Sequence, residues 1–436
     1  MPSLKISSDW IASGENFRPE FDQSYGQLGI QVDGVWITEY ETESGSRGER
    51  LEVPAYPLAE WIAENWWSLL YEPAKGDRSH KDPGFRSRHW IGSARDGFAL
   101  PDSWICSLGR GSVRVETSPA YFPHARLVLR NACDAQLRTD DVAVALAAFV
   151  DSVVERLHAA GVTDTGLQAI WAAFKSIDAD EQRFCRLLGA LGMSPYDADP
   201  DISELITGAL GNVSEQVAED FCEAADAGDA LEAAADVVQT LAALESESEL
   251  DCTDLFSLKS RGDRAPKRMA LEAAKAVRDR FSIAAGDPQG GEQFLQSLGL
   301  NAIVRDRGGM RDLDEPVLHG SLRRNANTLK FNLIRKQLAS RRYDAARACY
   351  LAWIQASDGD RLVTRARVPD QQASRIFAAE LLAPIAYIRS RTRNNVLSPY
   401  GAAEIADALC VSDAVVSWQA SHNQISVVGQ HGGQWG

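Results

Sequence analysis

Hydrolysing a peptide bond or transferring a phosphoryl group requires certain side chains at certain spacings, and the 436-residue chain supplies few of them. A zinc-activated water needs two imidazoles four residues apart on one helix face, with a carboxylate beside them. The seven histidines, at positions 80, 89, 124, 158, 319, 422 and 431, contain no such pair, and those at 422 and 431 read as surface residues. The seven cysteines (106, 133, 185, 222, 252, 349 and 410) contain no CxxC pair. An odd number of scattered thiols points to a reducing cytoplasm rather than to a disulfide-bonded secreted domain. Asp197, Asp199 and Asp201 alternate like the opening of a calcium-binding loop, but Ile202 stands where the turn needs glycine and Gly208 where the closing carboxylate belongs. A turn with helix-capping aspartates is the better reading. The phosphate-cradling GxxxxGK(S/T) and the nucleophile elbow GxSxG do not occur.

The elements that would position any site change character along the chain. Seven of the eleven tryptophans lie in the first 104 residues, and buried packing is their usual role. Alternation around Asp33-Gly34 predicts a hairpin over 28–40, and Pro57 opens a predicted amphipathic helix running to Tyr71 through Leu58, Trp61, Ile62, Trp66, Leu69 and Leu70. Strands are expected at 112–117 and 125–130, then a helix after Thr139 with Leu146, Phe149, Val150, Val153 and Leu157 on one face. These features make 1–161 a Trp-rich α+β domain. Residues 162–285 are rich in alanine, glutamate and leucine and read as a helical region. Within it, Gly228 is expected to end one helix and Asp229 to cap the next, whose face is Leu231, Ala234, Val238, Leu241 and Leu244. The acidic run 245–251 reads as a solvated loop.

From about Gly290 the order of predicted elements is a helix and a strand over 294–306, a strand at 328–333, and a helix at 341–355. After a connecting loop come helical stretches at 370–389 and 405–423. Phe377-Ala378-Ala379-Glu380-Leu381-Leu382-Ala383-Pro384 is close to an FAxxLLxP signature, and Val411-Ser412 precedes a short helix. Over 286–425 the chain resembles the zincin-like metallopeptidase domain of the ImmA/IrrE family, with 426–436 left as a flexible tail. In active members the first of these helices carries HExxH after an arginine and an aromatic residue. That pattern places Arg347 at the first histidine, Ala348 at the glutamate and Leu351 at the second histidine of Arg342-Tyr343-Asp344-Ala345-Ala346-Arg347-Ala348-Cys349-Tyr350-Leu351. The family's third ligand falls on Asp370, with Ser374 where its ExxAN pattern has asparagine. Guanidinium stays protonated and repels a divalent ion, so the resemblance implies a pseudopeptidase with neither metal nor other cofactor.

The resemblance further implies a protein-binding regulatory or scaffolding subunit of a bacterial stress, toxin–antitoxin or phage-defence system, with a helix-turn-helix repressor or a defence component as partner. The strand at 328–333 is expected to accept an extended peptide by β-addition. The Arg347 guanidinium is expected to reach the Asp370 carboxylate in place of the metal, with Leu351 filling the remaining space. Two other classes stay open, an enzyme seated in the amino-terminal domain and a DNA-binding regulator using the helices at 405–423. The formal charge of −16 opposes phosphate-backbone binding except through a local basic patch. No apolar run is long enough to span a bilayer, and the first ten residues lack the apolar core of a signal peptide.

Overall fold

Asp33 and Gly34 take φ values of 48° and 84°, the two left-handed positions of a type I′ turn, and fold the strand Tyr25–Val32 back onto Val35–Trp36 as the dipeptide predicts. The computed structural model describes residues 3–13, 18–76, 81–258, 265–284, 286–300 and 316–428. It is mixed α+β, with several small sheets, and divides into two units, Met1–Pro200 and Asp201–Gly436. The helical stretch read at 162–285 is therefore shared between them.

In the first unit, Leu4–Trp10 and Leu51–Pro54 flank Tyr25–Val32, while Ser112–Ser118 lies between Cys133–Arg138 and Asp102–Gly109 in a second antiparallel sheet. The helix expected to run to Tyr71 is two helices, Tyr56–Glu64 and Trp66–Tyr71. Asn65 leaves helical geometry at φ −104°, ψ 13°, and its side-chain amide donates to the Trp61 carbonyl. Thr139 is the first residue of the helix Thr139–Ala159, not its cap, and Val142, Leu146, Phe149, Val150, Val153 and Leu157 form its buried face. Trp61, Trp66 and Trp67 are in the core, and the other early tryptophans are half-buried. The helix Ala179–Leu191 joins this core through Gly189, where a Cβ would come within 2.6 Å of the Trp67 carbonyl oxygen.

In the second unit a four-stranded sheet runs Leu250–Asp251, Thr328–Leu333, Leu318–Asn325, Gly359–Thr364. The motif helix, Leu338–Ile354, packs on it and on a second helix, Pro369–Leu382. The motif helix is buried almost all round, with Ala345, Ala346, Ala348, Cys349, Tyr350, Leu351 and Ala352 in the core, so it lacks the one-sided pattern of a surface helix. Further helices are Glu215–Cys222, Ala227–Ala243, Pro266–Arg280, Gly290–Ser297, Ile385–Arg391, Pro399–Leu409 and Asp413–His422.

Several expectations change here. The segment between 355 and 370 holds the strand Gly359–Thr364. The acidic run ends in a strand, Leu250 and Asp251 pairing with Leu329 and Thr328. The helix expected to start at Asp229 begins at Ala227 and runs through Gly228. Its buried face is Ala230, Ala233, Ala234, Val237 and Thr240, leaving Leu231 and Val238 half-exposed. Small side chains let that helix lie close to the sheet, and close approach outweighs the larger apolar stripe. Asp201 sits in the first turn of Pro200–Gly208, in keeping with the capping reading of the three aspartates. The tail begins with Ser426–Val427 paired in parallel to Val396–Leu397; residues 429–436 and the strand expected at 301–306 lie outside the described residues. No helix among the described residues is long and apolar enough to cross a membrane.

Candidate functional site

Arg347 is fully buried, and its guanidinium makes four hydrogen bonds and one further ion-pair contact. Nε donates to Ser374 Oγ (3.1 Å), and Nη2 donates to the Thr364 carbonyl (2.6 Å) and to Gln371 Oε1 (2.9 Å). Nη1 donates to His319 Nδ1 (2.7 Å) and lies 3.5 Å from Asp344 Oδ1. The expected Arg347–Asp370 pair is not formed: Asp370 lies 3.5 Å from Arg361 Nη1 instead. The link between the two helices does exist, but Gln371, the buried neighbour of Asp370, and Ser374, one turn further along, make it. Ala348 and Leu351 lie in the apolar core as packing residues.

The carboxylate that answers Arg347 is Asp344, three residues earlier on the same helix and fully buried. It takes a fork of two bonds from Arg335, at 2.6 and 2.9 Å, and lies 3.3 Å from His319 Nδ1. Burial raises the Asp344 pKa, but the charge of Arg335 and its forked hydrogen bonds outweigh it, and the carboxyl stays far below its ordinary range. Burial and the nearby Arg375 pull the Arg347 pKa down, against the attraction of Asp344. Burial also pushes His319 down to about 4. Since a guanidinium can only donate, Nδ1 of His319 must accept, which fixes the neutral ring with its proton on Nε2. A second proton would set two N–H groups face to face.

His319 consequently makes stability pH-dependent. The unfolded chain takes up a proton near 6.5, whereas the folded chain refuses it down to about 4. Its contribution is complete above the first value and is lost as pH falls toward the second, by roughly 3 kcal/mol in all. Urea unfolding followed from pH 7 to pH 5 should show about 2 kcal/mol of this loss. In His319→Gln, whose amide oxygen still accepts from Arg347, that loss should be absent.

Arg347 and His319 also form one wall of a cavity of roughly 430 Å³, together with Arg335, Ser340 and Tyr343. Arg365, Arg367 and Arg375 come from the turn after Gly359–Thr364 and from the second helix, Lys267 from the helix Pro266–Arg280, and Ser412, Val415, Trp418 and His422 from the carboxyl-terminal end. The histidine expected at the surface, His422, is exposed and stacks on Trp418 with ring centroids 4.2 Å apart, and His431 lies outside the described residues. Among the described residues, no group of three or more His, Cys, Asp or Glu side chains is placed to hold a metal ion.

Both edges of the sheet have neighbours among the described residues. Beyond the two residues paired with Leu250–Asp251, the Thr328–Leu333 edge is met by the Ala227–Ala243 helix, where Asn332 bonds Thr240 Oγ1 at 2.8 Å. At the opposite end, the Gly359–Thr364 strand offers the Leu362 amide to buried Asp220 and the Thr364 amide to Gln371. The edge along which the sequence predicts peptide addition, 328–333, is thus paired by Leu250–Asp251 at its first two residues.

The two other classes gain little. Pro399–Leu409 and Asp413–His422 form a helix pair across a turn at Cys410, with Ser412 as N-cap as the Val411-Ser412 step suggests. The pair carries Glu404, Asp407 and Asp413 and no lysine or arginine, the wrong sign for a duplex backbone. In the first unit, buried His89 presents Nδ1 to the Ile105 carbonyl (2.7 Å) and Nε2 to Glu72 (3.0 Å), which Arg88 also forks. Burial raises the Glu72 pKa, but His89 and Arg88 overcome this and bring it to about 2. Burial meanwhile pushes the neighbouring Cys106 thiol up to about 12. Such a knot braces a fold, and its thiol is no nucleophile. No family model, curated protein or solved structure matches the chain.

The sequence reading found Arg347 but not its setting. His319 and Arg335 lie in no motif, and Asp344 and Gln371 fall at unspecified positions of the two motifs. A usable signal was nevertheless present, since eight arginines fall between 335 and 375 of a chain whose charge is −16. That is the local basic patch its overall charge leaves room for.

Proposed function

We propose that the second unit is a catalytically silent, ImmA/IrrE-like peptidase domain that binds a partner protein without cutting it, in a regulatory or scaffolding role. The observation that carries this reading is Arg347. At the position the resemblance gives to the first zinc-binding histidine stands a buried cation held by four hydrogen bonds. Ala348 offers no general base beside it, Leu351 belongs to the apolar core, and Asp370 is turned to Arg361. Nothing at these positions can polarise a water.

The test uses purified full-length protein and a helix-turn-helix repressor substrate. The expected result is a repressor that stays intact over hours with or without added zinc, and a protein that retains no stoichiometric zinc on elemental analysis. Cleavage that a chelator abolishes, with contaminating peptidases excluded, overturns the reading.

A further inference from the structure

Among the described residues, Lys267, Arg335, Arg347, Arg365, Arg367 and Arg375 all line the one cavity, and no carboxylate does. The acids that answer some of these cations lie outside its lining: Asp344 for Arg335 and Arg347, Asp226 and Asp229 for Arg365. Six cations converge on one concavity in a chain whose net charge is strongly negative. The fold has thus collected positive charge there against the overall field. Arg347 is held by four hydrogen-bond acceptors, and Arg375 by the Thr364 and Ala366 carbonyls (3.1 and 2.8 Å). Both are therefore oriented before any ligand arrives, which lowers the entropic cost of binding.

The rest of the wall is of a different kind. Trp418, Tyr343, Ile376 and Val415 supply an apolar and aromatic side, and Ser340, Ser412 and Gln372 supply neutral hydrogen-bonding groups. A volume near 430 Å³ is that of a small-molecule site, too small for a folded partner. Planar guanidinium groups suit phosphate oxygens, and an indole suits a flat ring.

We propose that this cavity binds a phosphorylated small molecule bearing a planar ring, of the nucleoside diphosphate class, with its phosphates among Lys267, Arg367 and Arg375 and its ring against Trp418. No bond is made or broken; the ligand is a bound effector. The site would accept such a ligand whatever the ancestry of the helix pair, so a repressor-cleavage result and a nucleotide-binding result bear on separate claims.

The experiment is isothermal titration of the full chain at low salt with ADP, GDP and CDP, and with adenosine and inorganic pyrophosphate as partial ligands. At least one diphosphate should bind with a dissociation constant in the micromolar range. Adenosine should not bind detectably, and pyrophosphate should bind more weakly than that diphosphate. The exposed and half-buried cations are the ones to vary: Lys267→Gln and Arg367→Gln should each weaken binding about tenfold or more, with circular dichroism unchanged. Trp418→Leu should bring the preferred diphosphate down to the affinity of pyrophosphate. The proposal is overturned if none of the three diphosphates binds at millimolar concentration, if the Lys267→Gln/Arg367→Gln double variant binds undiminished, or if pyrophosphate binds as tightly as the best nucleotide.

Discussion

Arg347→Leu is expected to destabilise the second unit by about 3–5 kcal/mol, a loss on the scale of breaking a buried ion pair. The side chain is fully buried and its removal strips a donor from four acceptors at once: Ser374 Oγ, the Thr364 carbonyl, Gln371 Oε1 and His319 Nδ1. Asp344 keeps Arg335 but loses its nearest buried counter-charge on the helix. Arg347→Lys should recover little, because an ammonium has three hydrogens and no planar fork with which to serve acceptors spread over two helices and two strands. The comparison that isolates the charge pair is a double-mutant cycle with Asp344→Leu. Removing both charges together should cost clearly less than the two single losses added, since neither is then left buried alone. Chemical denaturation of the four proteins decides the matter. A loss under about 1 kcal/mol for Arg347→Leu would mean that the guanidinium is no brace, and the metal-replacement idea would lose its structural basis.

A second large effect is expected at the pair that took Asp370 away. Asp220, buried on Glu215–Cys222, accepts from Arg361 Nε at 3.3 Å, from Arg361 Nη2 at 3.2 Å and from the Leu362 amide at 3.1 Å. In Asp220→Ala, an arginine that is 1% exposed keeps only the longer contact to Asp370, and a strand amide loses its acceptor. The expected loss is again about 3–5 kcal/mol. It should be accompanied by a greater tendency to aggregate, because Asp220 also blocks the end strand of the sheet. Asp370→Ala provides the contrast. That carboxylate is about a quarter exposed and pairs with Arg361 at 3.5 Å, so its loss should cost less than about 1 kcal/mol. Equal effects from the two substitutions would contradict this division of labour. An Asp370 effect larger than the Asp220 effect would restore the expectation that Asp370 is the important acid beside the motif helix.

The distance between these two aspartates shows where sequence reasoning stops. Asp370 was legible because it starts a helix and matches a pattern, whereas Asp220 sits in an unremarked helical stretch 141 residues from the arginine it holds. Local signals were reliable where the physics is local. Asp33-Gly34 made its turn, the helix after Thr139 buried the face its spacing gave, and a short helix follows Val411-Ser412, because backbone sterics and helix periodicity act within a few residues. The break at Asn65 and the phase of Ala227–Ala243 were misread because what touches a helix, not its own periodicity, selects the buried face.

By itself, then, the sequence determined a mixed α+β chain, the tryptophan-rich core of its first unit, the strand at 328–333 with the helices that follow it, and the presence of a cation at position 347, but not the strands Leu318–Asn325 and Gly359–Thr364. Only the tertiary structure decided what that cation does. A guanidinium chooses among acceptors by distance and burial, and its five partners come from the sheet, from the second helix and from its own helix. The same packing gathered six basic side chains around one cavity and left their acids outside its lining, an arrangement that composition averages away. Charge sign can be counted along a chain, but the field it creates depends on which groups share a wall, and that is fixed only when the chain has folded.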